Sequence, residues 1–169
     1  MAINVLIEFL RSAEKIVIMG IGNELRRDDA LGVIIARELK RKLKGIKNVL
    51  VIDCGEVPEN FLGVIERFKP THVIIIDAIE IGAEPGTLGI ISGDQVMHYP
   101  TISTHRISPH ILISYIEEIV GAKTIIIGIQ PENIDFGEGL TERVMLSVKE
   151  ITKMLANLIM RCINVSQNN

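Results

Sequence analysis

Several carboxylates stand where buried strands would end. Asp77 follows the run Val73-Ile74-Ile75-Ile76, Asp53 follows Val49 to Ile52, and the pair Asp28-Asp29 closes the loop Gly20-Ile21-Gly22-Asn23-Glu24-Leu25-Arg26-Arg27 that leaves Ile16 to Met19. Two histidines, His105 and His110, lie in or beside the irregular stretch before a later helical pattern. Two carboxylates and one imidazole arriving from separate loops make an oxygen, oxygen, nitrogen set. That set suits a borderline divalent ion such as Ni²⁺ or Zn²⁺ and leaves coordination positions open for water or for ligands from a partner. The plainer reading of Asp28-Asp29 is a cap, because acids in a first helical turn are favoured by the macrodipole and accept orphan N–H bonds. One cap needs one carboxylate, so the second is free for other work.

Other chemistries lack their residues. A dinucleotide fingerprint needs a third glycine where Leu25 stands, a phosphate loop needs Gly-Lys-Ser/Thr, and no Gly-x-Ser-x-Gly elbow is present. Cys54 and Cys162 form no C-x-x-C pair and are too few for a disulfide framework. Cys54 reads as a small buried hydrophobe and Cys162 as helix packing. His98 and Tyr99 read as surface loop residues, and His72 as solvent-facing at the opposite end of the sheet.

These residues need a scaffold that brings strand ends together. Short β-branched runs alternate with helical patterns, the sequence sign of βαβ units. Strands are expected at 15–21, 48–53, 71–77 and 123–129, with a short edge strand, read as antiparallel, at 87–92. Helices are expected near the N-terminus, at 29–43 with Asp28 as N-cap, at 58–68, at 109–120, and from Val144 through Leu158, where apolar residues step 4, 3, 4, 3. Residues 99–108 and 131–139 read as loops, and the tail 164–169 as frayed. The fold class is α/β: a three-layer, doubly wound, mostly parallel five-stranded sheet with helices on both faces, as one domain over residues 1–169. In such sheets ligands bind beyond the carboxyl ends of the strands where strand order reverses, and that end is where the acids sit.

With 169 residues, 47% of them hydrophobic and 23% charged, there is ample apolar surface for a core. A net charge of −3 lacks the basic footprint of a nucleic-acid binder. The first fifteen residues lack the basic lead and cleavage site of a signal peptide, and no apolar run is long enough for a membrane span. A soluble protein of the reducing cytoplasm is expected, with neither nucleic acid nor membrane as partner.

The string Gly20-Ile-Gly-Asn-Glu-Leu-Arg-Arg-Asp-Asp29-Ala-Leu-Gly32 resembles the signature of the hydrogenase maturation endopeptidases, and further motifs follow in register. Asp53-Cys54-Gly55 with Pro58-Glu59-Asn60 is similar to the family's Asp-Gly-Gly turn and next helix, Cys54 standing where glycine is commonest. Val73 to Ala78 resembles its strand ending in Asp-Ala. Thr104-His105 and Gly128-Ile129-Gln130-Pro131 resemble the formate-hydrogenlyase type. The resemblance spans residues 15 to about 160.

It implies an endopeptidase that removes a C-terminal extension from the large-subunit precursor of a [NiFe] hydrogenase after nickel insertion. The nickel belongs to the substrate and serves as recognition element, with zinc or cadmium as substitutes, and the enzyme holds no tightly bound cofactor of its own. Carried over residue by residue, Asp29 and Asp77 are catalytic residues and metal contacts. The third ligand is His105 by the formate-hydrogenlyase pattern, or His110 by the Ile-Ser-Pro-His pattern of the uptake type. Asp28, Asp53, Gly22 and Asn23 would line the substrate cleft. The nucleophile stays open between metal-bound water and a water activated by Asp29 or Asp77. Two other readings are a non-catalytic nickel checkpoint that grips the immature large subunit, and a related peptidase acting on a different protein.

Overall fold

The computed structural model describes residues 2–93, 95 and 108–167. In chain order the elements are α1 (Ala2–Leu10), β1 (Ile16–Ile21), α2 (Leu31–Lys42), β2 (Val49–Gly55), α3 (Leu62–Phe68), β3 (His72–Ala78), β4 (Leu88–Ser92), α4 (Pro109–Tyr115), β5 (Lys123–Ile129) and α5 (Glu142–Gln167). Short 3-10 turns precede α2 (Arg27–Ala30) and α3 (Pro58–Phe61), and a π-type turn (Ile116–Val120) extends α4. The strands form one sheet in the order β2-β1-β3-β5-β4. Among the described residues only β4 runs antiparallel, pairing with β5 at the edge. The expected fold class therefore holds, including the antiparallel edge strand.

The core explains why β-branched residues dominate the strands. Alternate side chains of a strand face opposite sides of the sheet. Ile16, Ile18, Ile74, Ile76, Ile125 and Ile127 are buried beneath α1, α2 and α5. Val17, Met19, Val73, Ile75 and Ile126 pack beneath α3 and α4. Both faces are covered, so the strands read as continuous apolar runs rather than alternating ones. α5 presents Val144, Val148, Ile151 and Leu155 to the first of these layers, as its spacing predicts. It continues to Gln167, beyond the expected start of fraying.

From β1 the chain passes to β2 on one side and then to β3 on the other. The switch point is thus the gap between the carboxyl ends of β1 and β3. Two glycines let α2 settle directly over it. A Cβ on Gly32 would lie 2.2 Å from the carbonyl oxygen of Ile21 and 2.3 Å from that of Ile76, and one on Gly20 would lie 2.1 Å from the Gly32 oxygen. Helix and strands meet here backbone to backbone.

The opposite end of the sheet differs from expectation in one respect. His72 is not solvent-facing but 2% exposed, because α1 covers it: Phe9 meets the imidazole edge-on with centroids 4.8 Å apart. Ser12 Oγ (3.3 Å) and Thr71 Oγ1 (2.9 Å) are its hydrogen-bond partners. Burial, reinforced by the Lys123 charge, holds its pKa below the ordinary 6.5.

Two outcomes follow from this packing. Gly32→Ala is expected to cost about 3 kcal/mol or more, since two backbone oxygens must move, whereas Gly63→Ala, whose Cβ meets only the Arg67 guanidinium at 3.5 Å, gains about 0.5–1 kcal/mol of helix propensity. Urea unfolding of both variants checks this. Because the unfolded chain binds a proton at His72 more readily than the folded one, that residue's contribution is fully present above about pH 6.5 and is lost as pH falls through the depressed folded value. Wild type should lose more stability than His72→Gln between pH 7 and pH 5.5; equal losses would contradict the assignment.

Candidate active site at the switch point

Asp77 is the penultimate residue of β3, at the switch point, and is buried to 5% exposure. It shares the parity of Val73 and Ile75, so it belongs to the face covered by α3 and α4. Its Oδ1 accepts from the Ala78 N–H at 2.8 Å. Asp29 lies in the 3-10 turn before α2, 4% exposed, and its Oδ2 accepts from the Asn23 N–H at 3.2 Å. Since Gly32 rests on the oxygens of Ile21 and Ile76, and Asp29 is one turn upstream while Asp77 directly follows Ile76, both carboxylates are brought to the same end of the β1–β3 gap.

The glycine and asparagine of the expected cleft shape the loop between them. Gly22 donates its N–H to the Gly55 oxygen (2.9 Å), tying the end of β1 to β2. A Cβ there would sit 2.0 Å from the Asp29 carbonyl oxygen, so only glycine lets the loop close over the turn. Asn23 Oδ1 accepts from the Leu25 N–H at 2.8 Å, a side-chain-closed turn.

Asp28 departs from the sequence reading on two counts. It is not an N-cap: α2 begins at Leu31 with Ala30 as the cap residue and no side-chain cap bond. Nor does it face an open cleft, being 0% exposed. Its Oδ2 accepts from the N–H groups of Glu132 and Asn133 (both 2.9 Å), its Oδ1 from the Thr141 N–H (2.7 Å), and the Thr141 hydroxyl donates to both oxygens (3.1 and 2.9 Å). The physical reason is that the loop between β5 and α5 carries backbone donors that need a buried acceptor, and a carboxylate can meet several at once. Asp28 is therefore a clasp between two loops, and Asp29 alone of the pair is left at the switch point.

Asp53 is committed in another direction. Its parity turns it toward α2, where its Oδ2 accepts from Arg37 Nε at 2.7 Å and its Oδ1 from the Gly55 N–H at 3.1 Å. Arg37 also grips both oxygens of Glu24, at 2.5 and 2.9 Å, and these carboxylates, Glu24 first, raise its pKa. This half-exposed cluster braces the outside of the β1–α2 loop. Cys54 is 2% exposed, and burial, then the Asp53 charge, pushes its thiol up to about 12. Such burial agrees with its reading as a packing residue.

His105 lies outside the described residues, as do His98 and most of the loop expected at 99–108. His110 sits in the first turn of α4, partly exposed, after Ser108, whose Oγ caps the helix by accepting from the Ile111 N–H (3.3 Å). Among the described residues no three His, Cys, Asp or Glu side chains form a group that could hold a metal ion.

Two contributions were not assigned from sequence. Gln130 is buried, its Oε1 accepting from the N–H groups of Ile81 and Ala83 and its Nε2 donating to Glu80 and the Pro131 oxygen. It fixes the segment that follows Asp77. Of the partners of Asp28, Glu132 and Asn133 stood in the loop expected at 131–139 and Thr141 just beyond it, none with an assigned role. Gly-Ile-Gln-Pro was visible as a motif, but nothing in the string says what a buried amide would hold.

The profile of the hydrogenase maturation proteases matches residues 33–158. The chain belongs to the hydrogenase maturation protease family. A Methanocaldococcus jannaschii protein assigned to the same family is 37% identical over 160 residues, 91% of this chain and 94% of that one. The hydrogenase 3 maturation protease of Escherichia coli is 32% identical over 139 residues, covering 82% and 87%. Among solved structures, a [NiFe] hydrogenase maturation protease from Thermococcus kodakarensis superposes with a TM-score of 0.84 at 35% identity, covering 92% of this chain and 99% of that one. This hydrogenase maturation protease is a peptidase, as its resemblance to the family implied. Among its described residues no helix is long and apolar enough to cross a membrane.

The clasp generates a direct test. Asp28→Ala strands the Glu132, Asn133 and Thr141 donors in a buried site and is expected to cost about 3–5 kcal/mol, while Thr141→Val, which leaves its backbone bond, costs about 1–2 kcal/mol. Chemical denaturation of both variants, with hydrogen exchange at Glu132 and Asn133, checks the ranking.

Proposed function

We propose that this hydrogenase maturation protease removes a C-terminal extension from the large-subunit precursor of a [NiFe] hydrogenase once nickel has been inserted. The observation that carries the reading is the pair of buried carboxylates, Asp29 and Asp77, brought to the switch point of a hydrogenase maturation protease fold by the turn before α2 and the end of β3. The names of its relatives support the substrate class: the E. coli relative matures hydrogenase 3.

Nickel is part of the substrate in this reading. Asp29 and Asp77 contact it together with a histidine, His105 by the family pattern and His110 as the alternative, with zinc or cadmium able to stand in. An incomplete set of protein ligands has open positions, which the substrate's own groups fill. The chemistry is peptide hydrolysis: water adds to the scissile carbonyl carbon, the C–N bond breaks, and the proton lost by water goes to the departing amine. A buried carboxylate near the reacting carbonyl can take that proton in transit, and holding the metal-bearing segment in place aligns the bond to be cut. The reaction takes place in the cytoplasm, between two proteins.

The test is incubation with nickel-loaded and nickel-free precursor, read as mass lost from the precursor's C-terminus. Wild type is expected to cut only the loaded form. Asp29→Ala and Asp77→Ala should each lose on the order of 10²-fold or more in rate while remaining folded, unlike Asp28→Ala, whose loss follows its stability. Comparing His105→Ala with His110→Ala identifies the third contact. Binding without any mass loss would replace the hydrolytic reading with a nickel checkpoint.

A further inference from the structure

Among the described residues, the buried side-chain oxygen left without a hydrogen-bond partner is Oε2 of Glu59. Its polar neighbours at this end of the sheet are matched. Asp28 takes donors from the loop between β5 and α5, Asp53 takes Arg37 and the Gly55 N–H, and Gln130 takes the N–H groups of Ile81 and Ala83. An acid in the first turn of a helix commonly accepts one of that turn's free N–H groups. Glu59 stands in the first turn of the segment Pro58–Phe61 that leads into α3, and its Oε2 accepts from none of them. A carboxylate oxygen that leaves water and gains no donor costs stability. Proteins keep such local mismatches chiefly at sites that act on something else.

The chain holds Glu59 where it is. Pro58 beside it is buried, Phe61 and Leu62 pack on the core beneath α3 and α4, and the Asn60 N–H donates to the Val57 oxygen (3.1 Å). The turn follows the carboxyl end of β2, where the Gly55 oxygen receives the Gly22 N–H, and it leads into α3, which covers the face of the sheet to which Asp77 belongs. Glu59 thus shares with Asp77 both an end and a face of the sheet. Its side chain as a whole is half-buried. The last torsion of a glutamate is broad, so the carboxylate can turn either oxygen toward a donor arriving from the open side.

We infer that Glu59 binds the segment of the large-subunit precursor that enters the switch point, accepting a hydrogen bond from a donor on it, either a peptide N–H or a cationic side chain. The inference rests on the proposed function above and adds a substrate contact beside the Asp29 and Asp77 pair. A bond to an ionised acceptor is among the stronger hydrogen bonds, and here the substrate supplies the donor that the folded chain leaves out. The same argument gives stability the opposite sign from binding: replacing an unmatched carboxylate by an apolar chain of the same length removes its cost.

The experiment compares wild type with Glu59→Met, Glu59→Gln and, as a control, Glu56→Gln, which alters an exposed glutamate in the same loop. Urea unfolding of the free protein is measured together with calorimetric binding and cleavage of the nickel-loaded precursor. Glu59→Met is expected to unfold at the same or a higher urea concentration while Kd and KM rise roughly tenfold and kcat stays within about twofold. Glu56→Gln should change none of these. A peptide N–H partner leaves Glu59→Gln within about threefold of wild type, because the amide oxygen still accepts. A cationic partner makes Glu59→Gln as weak as Glu59→Met, and wild-type binding then weakens with added salt. A loss of stability in Glu59→Met overturns the inference, because the oxygen then has a partner in the free protein. An unchanged Kd in Glu59→Met, or an equal rise in Glu56→Gln, overturns it as well. If wild type binds but never cuts, hydrolysis is refuted while the Kd series still decides Glu59; if wild type does not bind, both fall.

Discussion

The structure depends on one close approach. Gly20 and Gly32 bring β1 and α2 within backbone contact, and Gly32 reaches on to the end of β3. No side chain fits between these elements, so the first turn of α2 has a single position relative to the carboxyl ends of β1 and β3. Protein interiors are packed too densely for such a contact to slide. The two acids emerging there inherit that precision, Asp29 from the 3-10 turn that leads into α2 and Asp77 from the last residues of β3.

Around this point the protein assigns neighbouring acids different duties through their surroundings. Asp28 and Asp29 are adjacent in sequence and both buried, yet one is saturated by donors of the loop between β5 and α5 and the other faces the switch point. Asp53, at the end of β2, is turned by strand parity toward Arg37. Gln130 does for the segment after Asp77 what Asp28 does for its own neighbours: it fixes a loop by meeting backbone groups that would otherwise be buried without partners. The loops at this end of the sheet are thus tied to one another by buried polar side chains.

That arrangement suits a protein substrate. A small-molecule enzyme needs an enclosed pocket that buries most of its ligand, whereas a peptidase acting on a folded precursor needs an accessible edge and a fixed surface to rest against. The family to which the chain belongs and the fold it shares with solved maturation proteases agree with this design.

By itself the sequence determined the α/β class, the five strands and the antiparallel edge, because apolar periodicity and turn residues are local properties written residue by residue. The family was legible too, since its motifs recur in register along the chain. What only the tertiary structure decided was the work of each polar residue: that Asp28 clasps rather than caps, that Asp53 belongs to Arg37, and that His72 is covered by α1 rather than open to solvent. Those roles depend on partners 16 to 113 positions away in the chain. A carboxylate or imidazole carries the same letter whichever donor the fold brings to it, so the answer comes into being only when the chain closes.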